Sequence, residues 1–344
     1  MSFEHEQVRI ERGPRSGLPV IVAVHSTTLG QAIGGCRLAC YPRWQDALTD
    51  ALRLSAAMTD KCAVAGLPNG GGKTVVALPA GTTLGPDDRR ALLHDVADVI
   101  AALDGAYATG PDVGTGPADM ATIAERAPYA FCRPPEAGGS GDSSTHTAAG
   151  VVAALHAVCG AVFGSPRLAG RRFTVVGLGR VGADVARRLV AAGAELAVSD
   201  IDTAKQRLAG EFGATWLAPE AALRSEADVL VPAALGGVFT ARTVAGLRCA
   251  AIAGPANNQL DEPATADLLH RRGILWAPDF VVSAGGIINA VAVELHHETA
   301  DQAAARVLGI GDTLTGILRD ATRAGVTPAA AALALSRQRL ADPR

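Results

Sequence analysis

Arg171 to Asp202 reads RRFTVVGLGRVGADVARRLVAAGAELAVSDID. Its opening run, Phe173-Thr174-Val175-Val176, is short, apolar and β-branched, and it stops at a glycine cluster, as a buried parallel strand does at a tight turn. Helix follows. Val181, Val185, Leu189 and Val190 recur at helical spacing, Arg187 and Arg188 fall in the closing turns, and Gly193 stands where a C-cap glycine would. A second apolar run, Glu195 to Ser199, delivers Asp200. The spacing predicts one strand-helix-strand unit.

The turn reads Gly177-x-Gly179-x-x-Gly182, and each glycine has a mechanical task. The first makes the turn, the second lets backbone approach a pyrophosphate, and the third lets helix pack on strand. The free N–H groups of the helix N-terminus then face the diphosphate. Alone, three glycines are a weak sign; with strand, helix, second strand and a carboxylate at the expected distance they predict a dinucleotide site. Asp200 can accept from a ribose 2′-hydroxyl and would repel a 2′-phosphate, with Asp202 adding to the repulsion. No arginine follows closely enough to favour the phosphate, so NAD rather than NADP is expected.

The 344 residues are long for one core and suit two domains. With 49% hydrophobic and 4% aromatic residues, the core has to be Ala, Val, Leu and Ile, which suits alternating strands and helices. A formal charge of −3 gives no bulk attraction to nucleic acid or to an anionic membrane. Six cysteines without a CxxC pair point to reduced thiols, not to a zinc ribbon or disulfide framework, and no metal site is expected. The start, MSFEHEQVRIERG, is charged where a signal peptide would be apolar, and no apolar run is expected to reach the length of a membrane span. These features read as a soluble cytoplasmic protein.

Leu18 to Gly30 alternates into a strand, and Trp44 to Met58 is helical, ending near Lys61. Between them Gly34-Gly35 is either a bulge or a place where a small ligand meets bare backbone. Gly70-Gly71-Gly72-Lys73-Thr74 resembles a phosphate loop, but Leu67 stands where that loop needs glycine, and a strand follows instead of a helix. Lys73 is thus expected on a glycine turn entering a strand, with its ammonium in a cleft. Arg89 to Leu103 reads as helix. Asp112, between Pro111 and Gly114, suits a turn residue or the cap of a helix starting near Ala118. Pro134 to Ser144 has the composition of an interdomain hinge, followed by a helix from Thr147 to Phe163. Past Asp202 the strand and helix alternation goes on, with strands at Asp228 to Val231, Ala250 to Ala253 and Ile274 to Trp276. Their ends carry polar or glycine-rich turns such as Gly254 to Asn258 and Ser283 to Gly286.

From Val20 to about Ala332 the chain resembles the amino-acid dehydrogenase family that contains leucine, valine, phenylalanine and glutamate dehydrogenases. The resemblance is carried by GGCR at Gly34 to Arg37, MTDK at Met58 to Lys61, GGGK at Gly70 to Lys73, PDVGT at Pro111 to Thr115, SGDSS at Ser140 to Ser144, GLGRVG, ANNQL at Ala256 to Leu260 and APDFV at Ala277 to Val281. It implies an α/β fold with the substrate domain first and a doubly wound NAD domain second, a cleft between them and a homo-oligomer. The expected division is 1–138 for substrate binding and oligomerisation, 139–318 for NAD, and 319–344 as a helical tail packing back on the first domain.

Carried over by motif, Lys61 would bind the substrate α-carboxylate, Lys73 would be the catalytic lysine and Asp112 the acid-base group. Gly34, Gly35, Gly110, Asn257, Ser283, Ile287 and Ala290 would meet the substrate. Gly177, Gly179, Arg180, Val181, Gly182, Asp200, Ile201, Ala233 and Asn257 would hold the cofactor. The chemistry suits these residue types: hydride leaves Cα, water attacks the resulting iminium, a base takes protons and a cation steadies charge on oxygen. Lys73, desolvated and near Lys61, is expected to have a lowered pKa. The implied activity is reversible oxidative deamination of an amino acid to a 2-oxo acid and ammonia.

Ile33 stands where the family's glutamate enzymes place a lysine for the side-chain carboxylate, so an apolar substrate is expected. Gly110 and Ala290 are small and suit phenylalanine, while the branched Ile287 could fill the room that an aromatic ring wants; phenylalanine is expected ahead of leucine or valine. Ser283 replaces the asparagine usual in the family's strand-end motif. The rival reading is a non-catalytic homologue that binds NAD or senses an amino acid.

Overall fold

The computed structural model describes residues 4–234 and 236–343. The chain forms two units: one takes residues up to Asp142, Val293–His297 and the residues from Ser336 on, and the other takes Ser143–Ala292 and Glu298–Leu335.

In the first unit, strands β1 (Gln7–Arg12), β2 (Pro19–Ser26), β3 (Ala32–Cys40), β4 (Gly70–Leu78) and β5 (Tyr107–Pro111) form a sheet in the order β1-β2-β4-β3-β5. β3 is parallel to both β4 and β5, while β1 and β2 run antiparallel at the other edge. Alternation along the strands sorts the side chains to two faces. Ile21, Ala23, Val75 and Ala77 pack on Ala47 and Ala51 of helix α1 (Trp44–Ala65). Val20, Val22, Cys36 and Val76 pack with Leu92, Val96 and Ile100 of α2 (Pro86–Ala101) and with Met120 and Ile123 of α3 (Pro117–Ala124).

Three local expectations change here. The glycine tract before Lys73 is no turn, because Gly70, Gly71 and Gly72 already belong to β4. Their missing side chains let α1 touch the strand: a methyl on Gly71 would lie 2.1 Å from the Thr59 backbone nitrogen. The helix runs past Lys61 to Ala65 and closes at Gly66 with φ 69°, while Arg339 Nη1 donates to the Ala63 and Val64 carbonyls at 2.7 Å each. Gly34-Gly35 makes no bulge against β5, since β3 stays in register through Gly34 with Thr109 and Gly35 with Gly110.

In the second unit, β6 (Arg172–Val176), β7 (Glu195–Ser199), β8 (Thr215–Trp216), β9 (Glu226–Pro232), β10 (Arg248–Ile252) and β11 (Leu275–Trp276) form an all-parallel sheet in the order β11-β10-β9-β6-β7-β8. The order reverses between β6 and β9, the place where a doubly wound sheet opens its ligand crevice.

Helix α4 (Ser144–Phe163) is 20 residues with mean hydropathy 1.6, which corrects the expectation that no apolar run reaches membrane-spanning length. One side of it is core, with Ala148, Val151, Ala154, Leu155 and Val158 buried. The tail also divides differently from the expected cut at 319. Helix Ile310–Ala324 buries Leu314, Ile317, Leu318 and Ala321 as one stripe, so that cut would split a single apolar face. All six cysteines are free, and only Cys40 is exposed.

Candidate active site

The first unit brings together a lysine, a carboxylate and an arginine from three chain segments. Because β3 lies between β4 and β5, pairing Ile33 with Gly71 and Cys36 with Thr74 on one side, Gly35 falls beside Lys73; on the other side it pairs with Gly110, two residues before Asp112. Lys73 Nζ donates to Asp112 Oδ2. A methyl on Gly35 would sit 2.7 Å from the Asp112 Cβ and 3.1 Å from Lys73 Nζ. The bare backbone is therefore the gap across which the ion pair closes.

Arg37, two residues along β3, donates from Nε to Asp112 Oδ2 at 3.2 Å and from Nη1 to Asp50 Oδ2 at 2.8 Å. Asp50 Oδ2 also accepts from the Tyr41 hydroxyl at 2.7 Å. Thr115 Oγ1 donates to the Cys36 carbonyl at 2.8 Å, and the Asp112 N–H donates back to that hydroxyl oxygen at 2.9 Å, so the turn after β5 is tied to β3. Asp112 does not cap α3. Its N-cap is Gly116, whose N–H is met by Asp119 Oδ2 at 2.8 Å.

The Lys73 residue is 6% exposed. Burial pushes its ammonium below the ordinary lysine value; Asp112 pulls it back in part, and Arg37 pushes it down again. The cation acting on Lys73 is thus Arg37, where sequence reasoning had named Lys61. For Asp112, burial raises the carboxyl, but Lys73 and Arg37 together outweigh it and hold it below the usual carboxylate range. Lys61 lies half-buried on α1, two residues beyond the Thr59 that touches Gly71. Ile33 is fully buried, and the space a side chain would take at Gly110 is filled by the Phe131 ring, whose Cε2 would lie 2.4 Å from an added methyl.

In the second unit the glycine turn behaves as its spacing predicts. Gly177 has φ 105°, and a methyl on Gly182 would lie 2.0 Å from the Gly177 carbonyl oxygen, so both are fixed by the turn itself. Gly179 faces open space at the N-terminus of α5 (Arg180–Ala191), which leaves room for a diphosphate. Asp200 Oδ2 accepts from the Leu178 N–H at 2.7 Å and from Lys205 Nζ at 2.9 Å, and Oδ1 accepts from the Asp202 N–H at 2.9 Å. Burial alone would raise Asp200; those donors outweigh it and hold the carboxyl low. Beside it Ile201 is 86% exposed, an apolar surface of the kind a purine covers. Arg180 is exposed, Val181 half-buried, and Ala233 donates its N–H to the Val176 carbonyl at 2.8 Å.

The strand-end turns of this unit join two further predicted residues. Ser283 Oγ donates to Asn257 Oδ1 at 3.2 Å. Gln259 braces that turn: its Nε2 donates to the Gly254 and Ala256 carbonyls, and its Oε1 accepts from Trp276 Nε1 at 2.9 Å. Ile287 and Ala290 lie on helix Gly285–Ala290, the first half-buried and the second buried. A groove of about 1250 Å³ beside α4 and helix Ile310–Ala324 includes none of these residues in its described lining. Among the described residues no cluster of three His, Cys, Asp or Glu side chains is placed to hold a metal ion.

Comparison with known proteins matches residues 3–129 to a family model described as Glu/Leu/Phe/Val dehydrogenase, dimerisation domain, and residues 201–330 to one described as Glutamate/Leucine/Phenylalanine/Valine dehydrogenase. The chain is 38% identical to leucine dehydrogenase of Geobacillus stearothermophilus over 100% of its length and 92% of that protein. It is 37% identical to phenylalanine dehydrogenase of Caldalkalibacillus thermarum over 98% of its length and 91% of that protein. The crystal structure of L-tryptophan dehydrogenase from Nostoc punctiforme superposes with TM-score 0.84 at 35% identity, covering 99% of this chain and 97% of that one.

Proposed function

Because this chain belongs to the glutamate/leucine/phenylalanine/valine dehydrogenase family, we propose that it catalyses the NAD-dependent, reversible oxidative deamination of an apolar L-amino acid to the 2-oxo acid and ammonia. The observation that carries this reading is the Lys73–Asp112 pair, its lysine buried, closed across Gly35. When bound, NAD supplies the hydride acceptor for the substrate Cα. Asp112, kept ionised, takes a proton from the substrate ammonium. Lys73, whose burial favours the neutral amine, takes a proton from the water that attacks the iminium carbon, giving a carbinolamine. Asp112 then returns its proton to the nitrogen and takes the hydroxyl proton, so that the C=O bond forms, the C–N bond breaks and ammonia leaves, while the Lys73 ammonium steadies the oxygen. Lys61 binds the α-carboxylate. Gly177, Gly179, Gly182 and Asp200 hold the dinucleotide, with Asp200 on the adenosine ribose.

Ile33 supports an apolar side chain, because a glutamate carboxylate against it would lose hydration without a partner. Phenylalanine stays first in the panel for the sake of the small Ala290. Leucine and valine stand beside it, because the Phe131 ring takes the space behind Gly110. The dimerisation domain matched over residues 3–129 supports self-association through the first unit.

The test is NADH formation with L-phenylalanine, L-leucine, L-valine and L-glutamate, each with NAD and with NADP. The expected result is turnover with an apolar amino acid and NAD, not with glutamate. Lys73→Ala should lose about 10²- to 10⁴-fold in kcat with NAD binding retained. No turnover with any of the four would favour the non-catalytic homologue, and an active Lys73→Ala would refute the role given to that lysine.

A further inference from the structure

Arg37 belongs to no role that the reaction above requires, yet it is the group that links the ion pair to α1. Its guanidinium spans two carboxylates, Asp112 at 3.2 Å and Asp50 at 2.8 Å. Asp50 in turn is gripped by the Tyr41 hydroxyl at 2.7 Å and by Arg53 Nη2 at 2.8 Å. The Arg37 and Asp112 side chains are 19% and 21% exposed, while the Lys73 side chain behind them is 7% exposed. The fork of an arginine suits this task because one planar group can fix two acceptors at once.

We propose that Arg37 is a positioning residue for the Lys73–Asp112 pair, anchored from α1 by Asp50 and holding the Asp112 carboxylate in the orientation that faces the lysine. The inference rests on the deaminase reading, and the two fail separately: wild-type turnover decides that reading, the variants below decide this one.

The charge of Arg37 acts on both partners in the same sense. It stabilises the Asp112 carboxylate and disfavours the Lys73 ammonium, so both are held low by it. The pair therefore gives up its proton at lower pH than it would without the guanidinium. The other titratable groups near the pair do not imitate this. Cys36 on β3 is pushed up to about 12 by burial, and the Tyr107 hydroxyl on β5 is pushed up as well, so both stay neutral. Tyr41 is pushed up to about 12 by burial and by Asp50. From α1 come Asp50, held low because its donors outweigh burial, together with Arg53 and, further along, Lys61.

The experiment is the pH profile of kcat/KM for deamination, with one substrate throughout so that its own titration cancels. In Arg37→Gln the rising limb should move to higher pH, by on the order of one pH unit. Arg37→Lys keeps the charge and loses the fork, so its limb should stay while kcat on the plateau falls by about tenfold. Asp50→Asn removes the opposing charge and should move the limb the other way, to lower pH. A residue needed only for packing would lower the plateau in all three variants and move no limb. Overturning results are an unmoved limb in Arg37→Gln, or limbs that move in the same direction in Arg37→Gln and Asp50→Asn. Should Arg37→Gln fail to fold, the limb of Asp50→Asn alone decides, since an unmoved or raised limb there refutes the arrangement.

Discussion

Gly35→Ala is the smallest change that reaches the chemistry without replacing a charged group. The added methyl would lie 2.7 Å from the Asp112 Cβ, 3.1 Å from Lys73 Nζ and 3.2 Å from the Pro111 carbonyl oxygen. Ordinary contact begins near 3.4 Å, so Asp112 or β3 has to yield by about 0.7 Å (3.4 − 2.7). The contact partner is a Cβ next to backbone, not the far end of a flexible chain, and so the shift carries the carboxylate with it. A misplacement of nearly 1 Å at a reacting group costs about 10²-fold in rate, or ~2.7 kcal/mol of barrier. Overpacking a strand adds about 1–3 kcal/mol of destabilisation. The expected enzyme folds, binds NAD with wild-type affinity, and shows kcat/KM lower by about 10²-fold, with kcat falling more than KM rises. Initial rates of NADH formation, cofactor titration by fluorescence and a thermal melt measure the three quantities. A folded Gly35→Ala with kcat/KM within about threefold of wild type would refute the idea that Lys73 and Asp112 need bare backbone between them.

Two further substitutions test separate parts of the molecule. Asp200→Ala removes an acceptor for the ribose and releases Lys205 toward a 2′-phosphate, so the NAD:NADP ratio of kcat/KM should fall roughly 10- to 10²-fold, since a hydrogen bond to a charged group is worth ~1.5–3 kcal/mol; an unchanged ratio would refute the assignment. Asp95 is 1% exposed, and its carboxylate accepts from Ser16 N–H and Oγ at 2.8 and 2.7 Å and from Arg15 Nη1 at 2.9 Å. Asp95→Ala should cost about 3 kcal/mol because those donors lose a charged acceptor. Burial raises this carboxyl but its donors outweigh burial and hold it low, so its contribution is present above the unfolded value near pH 3.9 and lost as pH falls through the folded one. The stability gap between wild type and Asp95→Ala should narrow on acidification, and a gap independent of pH would contradict this.

The dinucleotide unit was readable in the sequence because its logic is local: strand, turn, helix and carboxylate lie within thirty-odd residues and each is set by neighbours in the chain. The β4 glycines were misread for the opposite reason. Glycine is depleted in strands, so three in a row suggest a turn, and only the approach of α1 explains them as strand. Arg37 stood inside the GGCR motif, but its partners lie at 50 and 112, on separate segments, and no local pattern joins them. A usable signal did exist: positions 35 and 37 share a strand face, so a charged residue two places after Gly35 had to point where Lys73 points. Lys205 reaches Asp200 only because the chain turns back after β7, and five residues of spacing carry no sign of that. The space behind Gly110 belongs to Phe131, twenty-one residues away, and a small residue in a sequence does not say what fills the place it leaves.

The bare stretch of β4 has a further consequence, for how this enzyme can change. Adding a single carbon at Gly70, Gly71 or Gly72 would drive it into Ser26, Thr59 or the Tyr107 ring, and there is no side chain at these positions to trim. Neither enlargement nor reduction is open there, so drift and directed mutagenesis alike will find the floor beneath Lys73 closed. Variation in substrate range has to be sought among residues that still possess side chains to exchange, and combinatorial libraries spent on the glycine tract would return mostly misfolded protein.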